Sequence, residues 1–451
     1  PVSLRPMEGI LNVEFLKNNR WIVVIGALMV QFALGAIYAW SVFTPDLGKA
    51  PFNFTPNQTQ GIFSAGLAAF ALMMIVAGQL QMKFGPRMMT MIGGFLLGLG
   101  YVLAGMFGHT FIAQLVCIGL IGGSGIGLAY VCPIAVGMKW FPDKKGLITG
   151  LAVAGFGFGA TAWVMLAPTW ANAAGVIDVL KVFTIYGCIF FALVELGSIV
   201  MVNPPADWAP AGWSGPKSST SGKTIASVEF SSSEMVRTPQ FYMLWLTFVF
   251  SALAGLMVIG IIKLFGIDAL QERSGMTEKA ASAAAGVAMA VFYALANGLG
   301  RIVWGAVSDK IGRKTSIIIM TAFQGVMMVA FYLIGGSVGL LFAGATIVGF
   351  NFGGNFALFP AITADFFGTK SVGRNYGWLF TAYGIGGIVG PMMAGHFKAI
   401  GKGHGVTAWM PAFMIAGALC IVASIITILI KPPVKAAILT PVKERELAGV
   451  K

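Results

Sequence analysis

The chain alternates long apolar runs with short polar breaks, and the runs are of similar size. In order they cover 21–43, 60–82, 88–107, 111–137, 147–170, 182–202, 241–267, 280–308, 315–334, 338–364, 376–397 and 407–430. A helix rising about 1.5 Å per residue needs roughly 20 apolar residues to cross the ~30 Å hydrocarbon core of a bilayer. The runs have that length, and they lack the strict alternation of membrane-barrel strands. The pattern therefore predicts an all-α membrane protein of twelve transmembrane helices.

The longest polar break, 204–240, is rich in Pro, Gly and Ser and divides the spans six plus six. The expected organisation is a segment 1–20, a six-helix bundle 21–203, a linker 204–240, a second six-helix bundle 241–430 and a tail 431–451. The two halves echo one another at a constant offset of 227 residues: Gly78 and Gly305, Lys83 and Lys310, Gly85 and Gly312, Pro133 and Pro360, Gly157 and Gly384, Gly159 and Gly386. Matches held at one offset across four helices mark an internal repeat. Parallel pseudo-symmetric halves point to a carrier whose substrate sits near the midplane between them.

Composition agrees with this reading and narrows it. Only 10% of the 451 residues are charged, against about 25% in a soluble domain, so a soluble enzyme with a peripheral anchor is excluded. The formal charge of +13 could suggest a nucleic-acid partner. With both termini placed in the cytoplasm, however, 21 Lys and Arg fall on the inner side and 6 on the outer, leaving Lys263 and Arg301 within spans. That asymmetry is the positive-inside signature, and no nucleic acid is needed to explain it. Cys117, Cys132, Cys188 and Cys420 lie in apolar runs, and His109, His396 and His404 lack metal-binding spacing. Neither a metal nor another cofactor is expected. Glu8 and Glu14 near the start, with no small-residue cleavage site after the first apolar run, disfavour a removable signal peptide.

The loop after the eighth span reads Gly305-Ala-Val-Ser-Asp309-Lys310-Ile-Gly312-Arg313-Lys314. It resembles the G-x-x-x-D-[RK]-x-G-[RK] signature of the major facilitator superfamily. The cognate loop after the second span repeats it as Gly78-Gln-Leu-Gln-Met82-Lys83-Phe-Gly85. The resemblance implies the major facilitator fold. It also implies a cytoplasmic gate latch built on Gly78, Lys83 and Gly85 in one half and Gly305, Asp309, Lys310, Gly312 and Arg313 in the other; the alternative is a merely tight basic loop. Met82 replaces the acidic residue, so the N-half latch should be weaker than the family norm.

Within the superfamily the chain resembles the oxalate/formate antiporter family, which also contains bacterial monocarboxylate and pyruvate-related carriers. The matching stretches run in order: Trp140-Phe-Pro-Asp-Lys-Lys-Gly146, Arg237-Thr-Pro-Gln-Phe241, Arg301 with its latch, Phe359-Pro360, and Asp365-Phe-Phe-Gly368 followed by Arg374-Asn-Tyr-Gly377. The resemblance implies a multi-pass protein of a bacterial inner membrane, expected as a monomer in the lipid bilayer.

Arg301 is the sharpest chemical signal, because an arginine within a span costs several kcal/mol unless it faces protein or water and finds a partner. Counting back from Asp309 at 1.5 Å per residue puts it about 12 Å into the membrane. Its planar fork suits a carboxylate. A structural ion pair is the alternative, and Glu195 on span six is the one acid within a span interior; span six is usually peripheral in this superfamily. Asn297 lies one turn before Arg301 on the same face and could orient the guanidinium, touch substrate or simply bond a neighbouring helix. Lys263, read near the outer end of span seven, can snorkel to the surface. The resemblance further implies an aromatic box around a carboxylate, which matches Tyr38, Tyr130, Phe156, Phe352, Phe356, Phe380 and Tyr383. Ordinary packing is the competing account for each.

Oxalate carriers of the resembled family hold a second cation, a lysine, where this chain has Tyr383, and Met74 is the repeat partner of Arg301. One buried cation balances one carboxylate. The expected substrate is therefore a small monocarboxylate such as lactate, pyruvate, formate or acetate, with a proton or counter-anion as the open choice of co-ion. An oxalate-type dicarboxylate exchanger, a proton-driven drug exporter and a transport-inactive nutrient receptor are the rival readings.

Overall fold

The computed structural model describes residues 13–170, 178–205, 208–210, 229–401 and 403–433, and among these there is no strand. The N-terminal half contains α1 (Trp21–Ala39), α2 (Pro56–Phe84), α3 (Pro86–Phe107), α4 (Phe111–Trp140), α5 (Lys145–Leu166) and α6 (Val179–Ser198). The C-terminal half contains α7 (Pro239–Ser274), α8 (Glu278–Ile311), α9 (Arg313–Ile334), α10 (Val338–Phe367), α11 in two pieces (Val372–Leu379 and Thr381–Ile400) and α12 (Gly405–Leu429). All except α11 are long and apolar enough to cross a membrane.

Local chemistry sets the ends. A capping box between Thr55 and Gln58, followed by Pro56, opens α2. Thr238 caps α7 ahead of Pro239, and Gly275, in the left-handed region at φ 62°, closes it. That closure falls later than the apolar pattern suggests: α7 continues to Ser274, about three turns past Lys263. Lys263 is therefore exposed along the helix rather than placed near its end. The eleventh apolar run, read as one span 376–397, is also corrected, because α11 begins at Val372 and breaks at Phe380. At the break the Tyr383 N–H bonds the Phe380 carbonyl three residues back, and the Thr381 hydroxyl donates to the Trp378 carbonyl at 2.8 Å.

Within the halves, α3 packs on α6 and α9 on α12; between the halves, α5 packs on α8 and α2 on α11. The inter-half contacts repeat one another. A Cβ on Gly305 would collide with the Gly146 carbonyl, and one on Gly78 with the Gly373 carbonyl, which is the same contact moved by the repeat offset. Gly85 (φ 84°) and Gly312 (φ 91°) likewise end α2 and α8 in matching positive-φ conformations. Of the linker only 204–205, 208–210 and 229–240 are described; its last part docks on the C-terminal half through Phe230, whose N–H bonds the Phe367 carbonyl at 3.0 Å. The segment 1–12 and the tail beyond 433 lie outside the described residues.

Candidate functional site

Arg301 is fully buried on α8, where that helix faces α5. Its Nε and Nη2 donate to the Asn297 Oδ1 at 3.2 and 3.0 Å, and its Nη1 donates to the Val153 carbonyl on α5 at 2.8 Å. Among the described residues no carboxylate pairs with it. A guanidinium has five N–H donors, and these acceptors take three of them. Aromatic faces flank the charge, with the guanidinium carbon 4.1 Å from the Phe356 centroid and 5.3 Å from that of Phe156. Such contacts with the negative ring face stabilise a cation by about 0.5–2 kcal/mol, less than the cost of burying an unpaired charge.

Around this centre the structure gathers every aromatic residue singled out from the sequence. Tyr38 sits in the tight 3-10 turn ending α1 and packs edge-on against Phe156 at 5.0 Å. Tyr130 meets Phe156 and Phe380, each at 5.6 Å. Phe380 stacks on Tyr383 at 4.8 Å, Tyr383 meets Phe356 at 5.6 Å, and Phe356 meets Phe352 at 5.3 Å. The hydroxyls of Tyr38 and Tyr383 share a hydrogen bond, which links the two halves beside Arg301. The Tyr130 hydroxyl lies beside the Arg301 guanidinium, and among the described residues the Tyr376 hydroxyl is buried without a partner.

Phe70 was not singled out from the sequence, yet it is central: it lies 5.0 Å from Tyr130, 5.2 Å from Phe380 and 6.4 Å from Phe156. The repeat could have found it, since Phe70 is the partner of Asn297 at the 227-residue offset. Tyr293 and Tyr376 also join the cluster, through Phe352 and Phe380. Glu195 does not. It lies on α6 near Gly94 of α3, with Oε1 buried and, among the described residues, without a partner.

At one end of the molecule the latch residues form an ionic bridge between the halves. Asp309 accepts from the Gly146 and Leu147 N–H groups at 2.9 and 2.8 Å, at the positive end of the α5 dipole. Arg313 pairs with Asp309 at 2.5 Å and Asp365 at 3.1 Å, and Lys145 pairs with Asp365 at 2.9 Å. Lys310 is exposed and takes no part in this bridge, while Lys83 is exposed over the Phe84 ring at 5.2 Å. The matching N-half position holds Met82, so an equivalent bridge is missing there.

Two pseudo-symmetric helical bundles, closed against each other at one end and enclosing a buried charged and aromatic cluster, are the architecture of a membrane transporter. The chain belongs to the Major Facilitator Superfamily, whose family model matches residues 20–292 and 274–449. It is 31% identical to the uncharacterized MFS-type transporter YhjX of Escherichia coli (strain K12), over 82% of this chain and 87% of that protein. It is 29% identical to the oxalate:formate antiporter of Oxalobacter formigenes, over 89% of this chain and 88% of that protein. The crystal structure of the transporter FucP in the outward conformation superposes with a TM-score of 0.65 at 16% identity, covering 90% of this chain and 98% of that one.

Proposed function

We propose that this transporter carries small monocarboxylates of the lactate, pyruvate, formate or acetate class, with the carboxylate held by Arg301 inside the aromatic cluster. The observation that carries the reading is the state of Arg301: buried, between the halves, and hydrogen-bonded only to neutral acceptors among the described residues. An uncompensated buried charge is costly, and an entering anion removes that cost. The Arg301 guanidinium and the Tyr130 hydroxyl beside it supply polar groups for it. The aromatic walls suit a substrate with one charged end and a small apolar remainder.

Charge arithmetic favours the monoanion. Arg301 is the single fixed cation among the cluster residues, since Tyr383 occupies the position where dicarboxylate carriers of the resembled family have lysine. The kinship with an oxalate:formate antiporter supports a second reading, exchange of a dicarboxylate. Counterflow in proteoliposomes with lactate, pyruvate, formate, acetate and oxalate separates them: the first reading expects trapped monocarboxylates to drive uptake, and a preference for oxalate over all four would establish the second.

The 21-to-6 bias of basic residues supports cytoplasmic termini and a cytoplasmic latch. With the latch engaged, the conformation described is then closed toward the cytoplasm. A bacterial inner membrane, a monomeric state, and a proton or counter-anion as co-ion complete the proposal.

A further inference from the structure

The repeat that places Asp309 on the start of α5 also defines what faces the start of α11. At the 227-residue offset, Asp309 corresponds to Met82, Gly146 to Gly373 and Leu147 to Arg374. In one half, a carboxylate therefore bridges two N–H groups at a helix start across the inter-half contact. In the other half the same backbone approach is kept, with Gly78 against Gly373, but the carboxylate is replaced by a thioether. No side chain caps the helix beginning at Val372.

Among the described residues the position is not filled by packing. A cavity of about 180 Å³ opens there, bordered by Gln81, Met82, Lys139, Lys370 and Arg374. A water occupies about 30 Å³ in the liquid, so the space accommodates a small oxyanion with some of its hydration. Gln81 is 8% exposed and its amide nitrogen lies against Gly373. Lys139 donates to the Asn203 side chain at 3.1 Å, and Arg374 Nε to the Ser232 hydroxyl at 3.0 Å; both partners are neutral. Among the described residues Glu229 is the nearby acid: it accepts from the Thr369 and Lys370 N–H groups and attracts Lys139 electrostatically, so that these residues set three cations, Lys139, Lys370 and Arg374, against one carboxylate.

We propose that this cavity is a second anion site, distinct from Arg301, which binds a small oxyanion where the missing acid of the N-half latch would stand. The bound oxyanion accepts from Gln81, Lys139 and Arg374 at the uncapped start of α11. Because Lys139 belongs to α4 and Arg374 to α11, the anion joins the halves and holds this end closed, as Asp309 does in the other latch. Anion on the latch side then stabilises the closed conformation and slows the carrier's opening there. The oxyanion is either free in the aqueous phase or the headgroup of an anionic lipid.

The test measures the Tm of the full chain purified in detergent, with inorganic phosphate titrated against sodium chloride at matched ionic strength. A saturable rise specific to phosphate is expected, by linkage of binding to folding. Lys139→Gln and Arg374→Gln should each weaken the apparent affinity about tenfold or more, the loss of one charge-assisted contact. Arg301→Ala should leave the response intact, which separates this site from the central one. Met82→Asp, which removes neither cation, should abolish the phosphate response by supplying the carboxylate internally. In phosphatidylcholine nanodiscs, added phosphatidylglycerol producing the shift when phosphate does not would identify the lipid as the source, provided Lys139→Gln suppresses it. The proposal is overturned if neither probe shifts Tm, if the response survives unchanged in Lys139→Gln, Arg374→Gln and Met82→Asp, or if Arg301→Ala eliminates it.

Discussion

Asn297 and Arg301 stand on successive turns of α8, and the single Oδ1 of the amide receives both Nε and Nη2 of the guanidinium at 3.2 and 3.0 Å. The amide fixes the plane of the charge without neutralising it. Its own Nδ2 is directed to the Gly349 carbonyl at 3.4 Å, tying the orientation to α10. The arginine is thus held in one place and, among the described residues, lacks a counter-charge.

If that arrangement serves an anion, Arg301→Ala should abolish carboxylate binding, and Arg301→Lys should lose most of it because an ammonium cannot replace the planar fork. The stability readout is equally informative. Removing one partner of a buried ion pair costs about 3–5 kcal/mol, whereas removing an unpaired buried cation should leave the substrate-free Tm unchanged or raised. Binding titrations and melts on the same preparations decide between the roles.

Tyr383→Lys should move preference toward dianions. With one fixed cation, a dianion leaves one negative charge unpaired, at a cost of a few kcal/mol or about 100-fold in affinity. The new ammonium would lose the hydroxyl bond to Tyr38 and would need Phe380, stacked at 4.8 Å, to shift. Lactate, formate and oxalate binding, measured side by side in wild type and variant, reads the change. A wild type that already prefers oxalate to every monocarboxylate would refute the charge argument.

Exchange should survive Glu195→Gln. The carboxyl lies beside Gly94, where α6 packs on α3. Anion exchange in vesicles is the measurement, and loss of exchange in a folded variant would give Glu195 a mechanistic role.

Asp309→Asn should weaken the closed latch end. The amide keeps one acceptor for the Gly146 and Leu147 N–H groups but loses the charge that holds Arg313. Spin labels at Lys144 and Lys310, both exposed and on opposite halves, should report a larger population of long distances in the variant. An unchanged distribution would mean that Asp365 with Lys145 and Arg313 suffices.

Cysteines introduced at Ser219 and Gly403 should label from opposite sides of the membrane. Ser219 lies outside the described residues, in the linker, and Gly403 is exposed before α12. Equal access from outside would reverse the orientation drawn from the basic residues.

Spans, halves and the position of Arg301 were legible in the sequence because membrane solvation acts on each segment almost independently: about 20 apolar residues are required wherever the chain crosses, and a charge within them stands out. The repeat was legible for a related reason, since Gly85 and Gly312 hold positive φ and Gly78 and Gly305 admit a neighbouring backbone, needs that few other residues meet. The partners were not. With 35 phenylalanines in the chain, helical spacing cannot say that Phe70 faces Tyr130, or that Tyr38 reaches Tyr383 across 345 positions. Nor does hydropathy register the break at Phe380, where local hydrogen bonds rather than apolarity decide the backbone. The substitution at Met82 was visible from the motif, but the cavity that Lys139 and Arg374 border exists only once α4 and α11 meet. Burial is a property of each segment and can be read one residue at a time, whereas a binding site depends on which faces meet, and only the packed helices determine that.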